Sequence, residues 1–438
     1  MAMVLAAATV LAGCGSGNTG TSGQRFKTGN VRFLNAIPDS MPLDVAIERT
    51  PFARLAFGGA SSNTSLNARG LRVDVGFAGL NGQSNTVIGK DRIVVRADRD
   101  LTVYLVGALA DAELLSVETE PLTLAAGRAE VSFVHLSARR DDVELFLTDP
   151  AADLAGLSPS ATLDFRDSTE PQDIASGSYR LRARVTGTTA LLFDSGPFTL
   201  TDQSRRIFAV VDYFGPGTSP IRVIRIDGAG AALFPGETYP STLAVANLVA
   251  DGGRLDASLD DGATAQPIDN IDFPGVSGSL TTAAGTYTAT LFSDDNPAAV
   301  VLQTAVPLLP AEQRTLVVTG ISGSIQSRAI IDPVRPIAGQ AGLRVIHAAP
   351  VASQVDFYLV ARGAEVAGST PFFTALPVLT SGELQVQPGE YDAVFTAAGS
   401  TDIVAGPLAI DVAAGSLSTL YTHDALGGGA PAAVIIFP

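Results

Sequence analysis

Apolar and polar residues alternate in short runs along this chain, and four of the runs begin alike. Val31-Arg32-Phe33-Leu34-Asn35, Val131-Ser132-Phe133-Val134-His135, Leu243-Ala244-Val245-Ala246-Asn247 and Leu343-Arg344-Val345-Ile346-His347 each open as a strand. Twelve residues after each start, an apolar residue stands directly before a carboxylate: Leu43-Asp44, Val143-Glu144, Leu255-Asp256 and Val355-Asp356. Starts at 31, 131, 243 and 343 are spaced by 100, 112 and 100 residues, the length of a small domain and too long for a solenoid repeat. In the second run Leu43, Val45 and Ile47 share one strand face while Asp44, Ala46 and Glu48 share the other, and Val355, Phe357 and Leu359 repeat this against Asp356, Tyr358 and Val360. One buried and one mostly wet face is the pattern of an antiparallel sandwich strand. The prolines of Ile37-Pro38-Asp39-Ser40-Met41-Pro42 bar strand continuation and predict a loop between the two runs.

Later landmarks keep the same order. Phe57, Phe165 and Phe273 precede Leu71, Tyr179 and Tyr287 by fourteen residues, and the tyrosines sit in Gly177-Ser178-Tyr179, Gly285-Thr286-Tyr287 and Gly389-Glu390-Tyr391. Each unit closes on an apolar run, at 112–117, 221–226, 329–331 and 433–437. About seven or eight strands per hundred residues match an immunoglobulin-like sandwich better than a barrel enzyme. The expected architecture is all-β, with four tandem immunoglobulin-like antiparallel β-sandwich domains over 29–125, 126–236, 237–336 and 337–438. The first and third units, like the second and fourth, are offset by 212 residues; Asn35 and Asn247 mark the odd units where His135 and His347 mark the even ones. A two-domain block that duplicated would leave adjacent domains packed as pairs.

Composition narrows the compartment. A net charge of −16 with 28 basic residues excludes a nucleic-acid surface, which needs clustered Lys and Arg. Residues 1–13 are uncharged and mostly apolar, the length of a signal-peptide core and too short to span a bilayer as a helix. They close on Leu11-Ala12-Gly13-Cys14, which looks like the lipobox of bacterial lipoproteins, and Cys14 is the only cysteine. A lone cysteine forms no internal disulfide, so lipidation accounts for it most economically. The first basic residue is Arg25, so the natural start is expected upstream. Gly15 after the cysteine resembles lipoproteins sorted to the outer membrane. Residues 14–28 read as a lipid-anchored Gly/Ser/Thr tether.

The runs Val31-Arg32-Phe33-Leu34-Asn35-Ala36-Ile37-Pro38-Asp39 and Leu343-Arg344-Val345-Ile346-His347-Ala348-Ala349-Pro350, with Leu43-Asp44-Val45 and Val355-Asp356-Phe357-Tyr358-Leu359, resemble the family called domain of unknown function 4397. The match is good in the first and fourth units and weaker in the second and third, where Ala138-Arg139-Arg140 and Ala250-Asp251-Gly252 replace the proline-aspartate segment. The resemblance implies exported, often lipid-anchored bacterial proteins with tandem all-β domains, and brings no catalytic residues.

Chemistry is sparse. His135, His347 and His423 are the only histidines; only the fourth unit holds two, without a cysteine or paired acid at metal spacing, so no metal site is expected. Since Asn35 and Asn247 occupy the place of His135 and His347, a shared hydrogen-bonding role at the end of an inward-facing strand is the better reading. Asp44, Glu144, Asp256 and Asp356 alternate away from the core and read as solvated strand acids, or as acceptors that fix a neighbouring loop and the strand register. Asp251, Asp256, Asp260, Asp261, Asp269 and Asp272, followed by Asp294-Asp295-Asn296, raise calcium, yet their spacing fits no EF-hand loop and turn acids are the default. No nucleophile elbow, phosphate loop or dinucleotide fingerprint occurs, so neither a catalytic residue nor a cofactor is expected. Without tryptophan, a sugar platform would rest on tyrosines such as Tyr213, Tyr358 and Tyr421. The leading expectation is a non-enzymatic outer-membrane lipoprotein, a spacer or binding module held to the membrane by its N-terminal lipid, with an envelope protein or polysaccharide as partner. A surface polysaccharide-binding or adhesion protein, with avidity from repetition, is the alternative; an envelope hydrolase is disfavoured.

Overall fold

The computed structural model describes residues 27–80, 84–234, 236–237 and 239–437, with side chains as far as Gly429. The signal segment, Cys14 and nearly all of the tether lie outside the described residues. The first unit contains β1 (Thr28–Asn35), β2 (Leu43–Ile47), β3 (Thr50–Leu55), β4 (Thr64–Asn67), β5 (Gly70–Ala78), β6 (Ser84–Val94), β7 (Asp100–Val106) and β8 (Glu113–Thr119). They form two sheets, ordered β4-β1-β7-β8 and β3-β2-β5-β6. Val31, Phe33, Val103 and Leu105 from one sheet interleave with Leu43, Val45, Val73 and Val75 from the other, the alternation anticipated in the sequence. Three further pairs of sheets repeat this order along the chain, around cores centred on Phe133 and Phe193, Val245 and Leu291, and Phe357 and Phe395.

The protein is thus nearly all-β, built of antiparallel-rich sheets in open sandwiches. Two features go beyond the pattern of the runs. In an immunoglobulin constant arrangement the first, second, fifth and fourth strands share a sheet; here the first sits with the fourth, seventh and eighth. The first and seventh strands are also parallel neighbours, with Val31 beside Leu101 and Asn35 beside Leu105, and their counterparts pair likewise in the other three units.

Central parallel strands tend to be apolar on both faces. Ser241–Val249 and Ala341–Ala348, the counterparts of β1 in the third and fourth units, are buried at every position. The second face is covered by the neighbouring unit. Leu34, Tyr104 and Val106 of the first sandwich pack against Val134, Leu136, Ala209 and Ile224 of the second, and Ala246, Leu248 and Val317 of the third against Ile346, Ala348 and Tyr421 of the fourth. Equivalent faces meet in each case, the self-complementary geometry of a two-fold pair. Thr319 Oγ1 also donates to the Ala348 carbonyl at 2.5 Å across the second contact.

The two pairs touch through the segment that joins the third and fourth units. Arg335 Nη1 donates to the carbonyls of Pro38 and Ser40 at 2.9 and 2.6 Å and lies over the Phe57 ring, and the Ala338 amide donates to the Asp39 carbonyl at 2.8 Å. Arginine is suited to this double role, because its planar fork can donate twice while its face stacks.

Truncating Tyr104 to alanine is expected to lower stability by about 3 kcal/mol, as for other buried aromatics, seen as a lower urea midpoint. Leu80→Ala, at an exposed position, should stay within about 0.5 kcal/mol of the parent.

Candidate functional site

The repeated Asn/His position lies at the end of β1 and its counterparts, with its side chain on the core face and fully buried in all four units. The chain turns there, leaving amides and carbonyls that need partners inside the protein. Asn35 Nδ2 donates to the Leu55 carbonyl and Ser40 Oγ, and its Oδ1 accepts from the Ile37 amide at 2.9 Å. Asn247 repeats this with the carbonyls of Gly253 and Ile271 and the Val249 amide. His135 spans the same turn: Nδ1 accepts from the Ser137 amide, and Nε2 lies 3.0 Å from the Arg140 carbonyl. A carbonyl can only accept, so Nε2 carries the proton and the ring is neutral. In His347 Nε2 donates to the Ala352 carbonyl at 2.6 Å, while the Ala348 amide donates to Thr422 Oγ1, leaving that hydroxyl to donate to Nδ1. Burial lowers both histidine pKa values from the ordinary range, in keeping with neutral rings.

Two residues beyond the partner of this position on the parallel strand, odd and even units diverge again. Gly107 and Gly320 stand there in the odd units at φ of 91° and 108°, and a Cβ on Gly320 would come within 2.3 Å of the Ser324 carbonyl oxygen. The even units carry buried Asp212 and Asp424. Asp212 accepts from Ser137 Oγ and the Arg139 amide, Asp424 from the Val351 amide, and desolvation raises both carboxyl pKa values.

The four acids of the repeat do not share one fate. Asp44 is half exposed and pairs with Arg54 at 3.3 Å, and Glu144 accepts from the Gly187 amide. Asp256 Oδ1 accepts from the Asn270 amide at 2.7 Å. Asp356 departs furthest from a solvated acid: it is 4% exposed, with Oδ1 taking the Ala375 amide and Oδ2 the Gly399 amide. Asp256 and Asp356 sit opposite β-bulges whose left-handed residues, Asn270 at φ 61° and Ala375 at 49°, present the amides they accept. The face around Asp356, expected to be mostly wet, is closed because Val366, from the segment after the strand, packs on Tyr358, Val360 and Val394.

The remaining sequence candidates are dispersed. His423 Nδ1 bonds the Asp424 carbonyl and its ring meets the edge of Phe273; it shares no ligand position with His347. Asp260 and Asp261 accept amides of their own turn, Asp251 accepts the Ser322 amide, and Asp272 and Asp294 pair with Arg254. No group of three metal-ligating side chains occurs among the described residues. Tyr213, Tyr358 and Tyr421 are buried and offer no exposed platform. One device the repeat reading missed is the Gly-x-Tyr unit: the hydroxyls of Tyr179, Tyr287 and Tyr391 each donate to the carbonyl four residues earlier, at 2.8, 2.8 and 2.9 Å. The constant spacing of glycine and tyrosine was its only signal in the sequence.

Clefts lie within single sandwiches, as at Val366 and Val394 of the fourth, and also where sandwiches meet. One of about 390 Å³ between the third and fourth is lined by Gln313, Thr315, Asp332, Arg344, Thr419 and Tyr421; Arg344 is held by Asp332 and the Ile331 carbonyl. The corresponding cleft between the first and second, about 180 Å³, holds Arg32, Asp100, Thr102, Glu130, Arg206 and Asp227. Arg32 and Tyr104 of the first unit correspond by strand register to Arg344 and Tyr421 of the fourth.

A family model described as domain of unknown function (DUF4397) matches residues 29–146 and 241–358. The two matched segments are themselves offset by 212 residues, and each runs through one sandwich into the opening strands of the next. No curated protein matches the chain. Among solved structures, the Bacillus anthracis TIE protein is similar at 9% identity and a TM-score of 0.17, covering 90% of this chain and 68% of that one. A product complex of the multi-modular glycogen-degrading pneumococcal virulence factor SpuA is similar at 11% identity and a TM-score of 0.15, covering 64% and 38%. At such TM-scores neither likeness carries an argument.

Asp356→Ala leaves two amides without their acceptor and is expected to cost about 2 to 4 kcal/mol by denaturant titration; Asp44→Ala, at an exposed pair, should cost less than about 1 kcal/mol. A second outcome concerns pH. With both histidine pKa values below the ordinary value of about 6.5, the unfolded chain binds more protons than the folded one, so stability should fall as pH drops from about 7 towards 5. Asp212 and Asp424, with raised pKa values, act in the opposite sense at lower pH, where the folded chain binds the extra protons. Replacing His135 and His347 by asparagine, the odd-unit residue, should flatten the decline in thermal midpoint below pH 7.

Proposed function

The chain belongs to the DUF4397 family, whose description states no activity, and from that premise we propose that it is a lipid-anchored, non-enzymatic spacer of the bacterial cell envelope. The observation that carries the reading is the coupling of consecutive sandwiches. Apolar faces join the first to the second and the third to the fourth, and the Arg335 segment ties the two pairs together. A chain coupled in this way transmits position along its length, as a spacer must. The side chains common to the repeats also support it, since their polar atoms serve turns and strand ends. Attachment rests on Leu11-Ala12-Gly13-Cys14, with Cys14 lipidated and residues 14–28 as the tether, at the outer membrane. No helix among the described residues is long and apolar enough to cross a membrane.

A second reading, binding of an envelope polysaccharide, is favoured by the cleft between the third and fourth sandwiches, where the part-exposed Gln313 and Ser418 present hydrogen-bonding groups. Saturable glycan binding by residues 28–438 that disappears in Gln313→Ala would displace the spacer reading; its absence across a glycan array agrees with it. For the anchor, Cys14→Ala is expected to move the protein from the membrane pellet to the soluble fraction, and retention of that variant in the pellet would refute lipidation.

A further inference from the structure

The last strand of each second sheet is an edge, with a row of backbone groups facing outward. Such edges invite pairing with another chain, and proteins commonly block them with charge or proline. Three of the four are blocked. β6 carries Lys90-Asp91-Arg92, with Lys90 in the left-handed region at φ 62°; Leu191–Leu200 carries Asp194 and Gly196-Pro197; Ile403–Val412 carries Gly406-Pro407 and Asp411.

The fourth is Asn296–Leu308, a strand of 13 residues that pairs on one side only, with Gly285–Ser293; like the other three edges it shifts register twice against its neighbour, and its regular ladder runs from Leu302 to Leu308. Its prolines, Pro297 and Pro307, stand near its two ends. Between them Ala298-Ala299-Val300-Val301-Leu302-Gln303-Thr304-Ala305-Val306 contains no charge, glycine or proline. Val300 is 62% exposed. An uncharged run of β-formers on a free edge is a template for strand addition.

We propose that this strand pairs antiparallel with the same strand of a second copy, across a two-fold axis, joining two four-stranded sheets into one. Charge selects this occupant and this direction. The chain is strongly acidic, so copies repel over most of their surface, whereas the run from Ala298 to Val306 brings no like charges face to face. Asp294-Asp295 lie at one end of the strand and the uncharged Pro307-Leu308-Leu309-Pro310 at the other. Antiparallel pairing sets each acidic end beside an uncharged one; parallel pairing would stack four acids.

The test is sedimentation velocity across the micromolar range on the chain from Lys27 onward, which holds every strand described above. A concentration-dependent monomer–dimer equilibrium is expected, and Val300→Lys should weaken it by at least about tenfold, since each dimer carries the change twice. Val300 is exposed, so the variant should keep the parent's thermal midpoint. Val94→Lys, at a 54% exposed position on the charged β6 edge, should leave the equilibrium unchanged. Hydrogen exchange should show amides between 298 and 306 gaining protection only at concentrations where the dimer forms. A chain that stays monomeric throughout overturns the proposal and leaves the edge to a strand of another protein. A dimer indifferent to Val300→Lys, or equally weakened by Val94→Lys, overturns it too.

Discussion

Strands buried on both faces need cover on both faces, and the rest of this structure depends on that requirement. The first strand of each unit lies beside a parallel seventh, and the alternate residues of this central pair point into two different cores. Phe33 and Val103 face the interior of their own sandwich, while Leu34 and Tyr104 face the next. A sandwich standing alone would expose the second set to water, at roughly 25 cal/mol for each Å² of apolar area. The pair, more than the single sandwich, is therefore the unit in which both faces of the central strands are removed from solvent.

Within the pair, polar groups are placed where the backbone changes direction. Asparagine in one unit and a neutral histidine in the next span the turn after the central strand, each accepting on one side and donating on the other. Glycine and buried aspartate alternate in step with them. Each combination is consistent within its own unit: glycine permits the tight backbone beside asparagine, and aspartate receives amides from the turn that follows histidine. Buried polar groups of this kind are costly to leave unmatched, so they hold a strand end in one conformation.

Much of this was legible in the residues. The alternation of Leu43, Val45 and Ile47 marks a face, and the 212-residue offset marks the doubled pair that the apolar contacts realise. The near-continuous apolar run Leu243-Ala244-Val245-Ala246-Asn247-Leu248-Val249 already carried the sign of a strand buried on both sides. What stayed hidden was contact between distant positions. Asp356 looks like a wet acid because its partners, Ala375 and Gly399, lie 19 and 43 residues away and reach it through a bulge and a turn that no local pattern announces. The tyrosine hydroxyls were hidden for a different reason, since a regular Gly-x-Tyr spacing shows a constraint without showing which carbonyl it serves.

The shared apolar face also governs how a gene of this kind can change length. Recombination that removed a single sandwich would strand its former neighbour with an uncovered sheet, prone to aggregate before it could be of use. Loss or gain of two adjacent sandwiches leaves every such face matched. Length in this lineage should accordingly vary in even steps, and the number of sandwiches is constrained by solubility before any selection on reach.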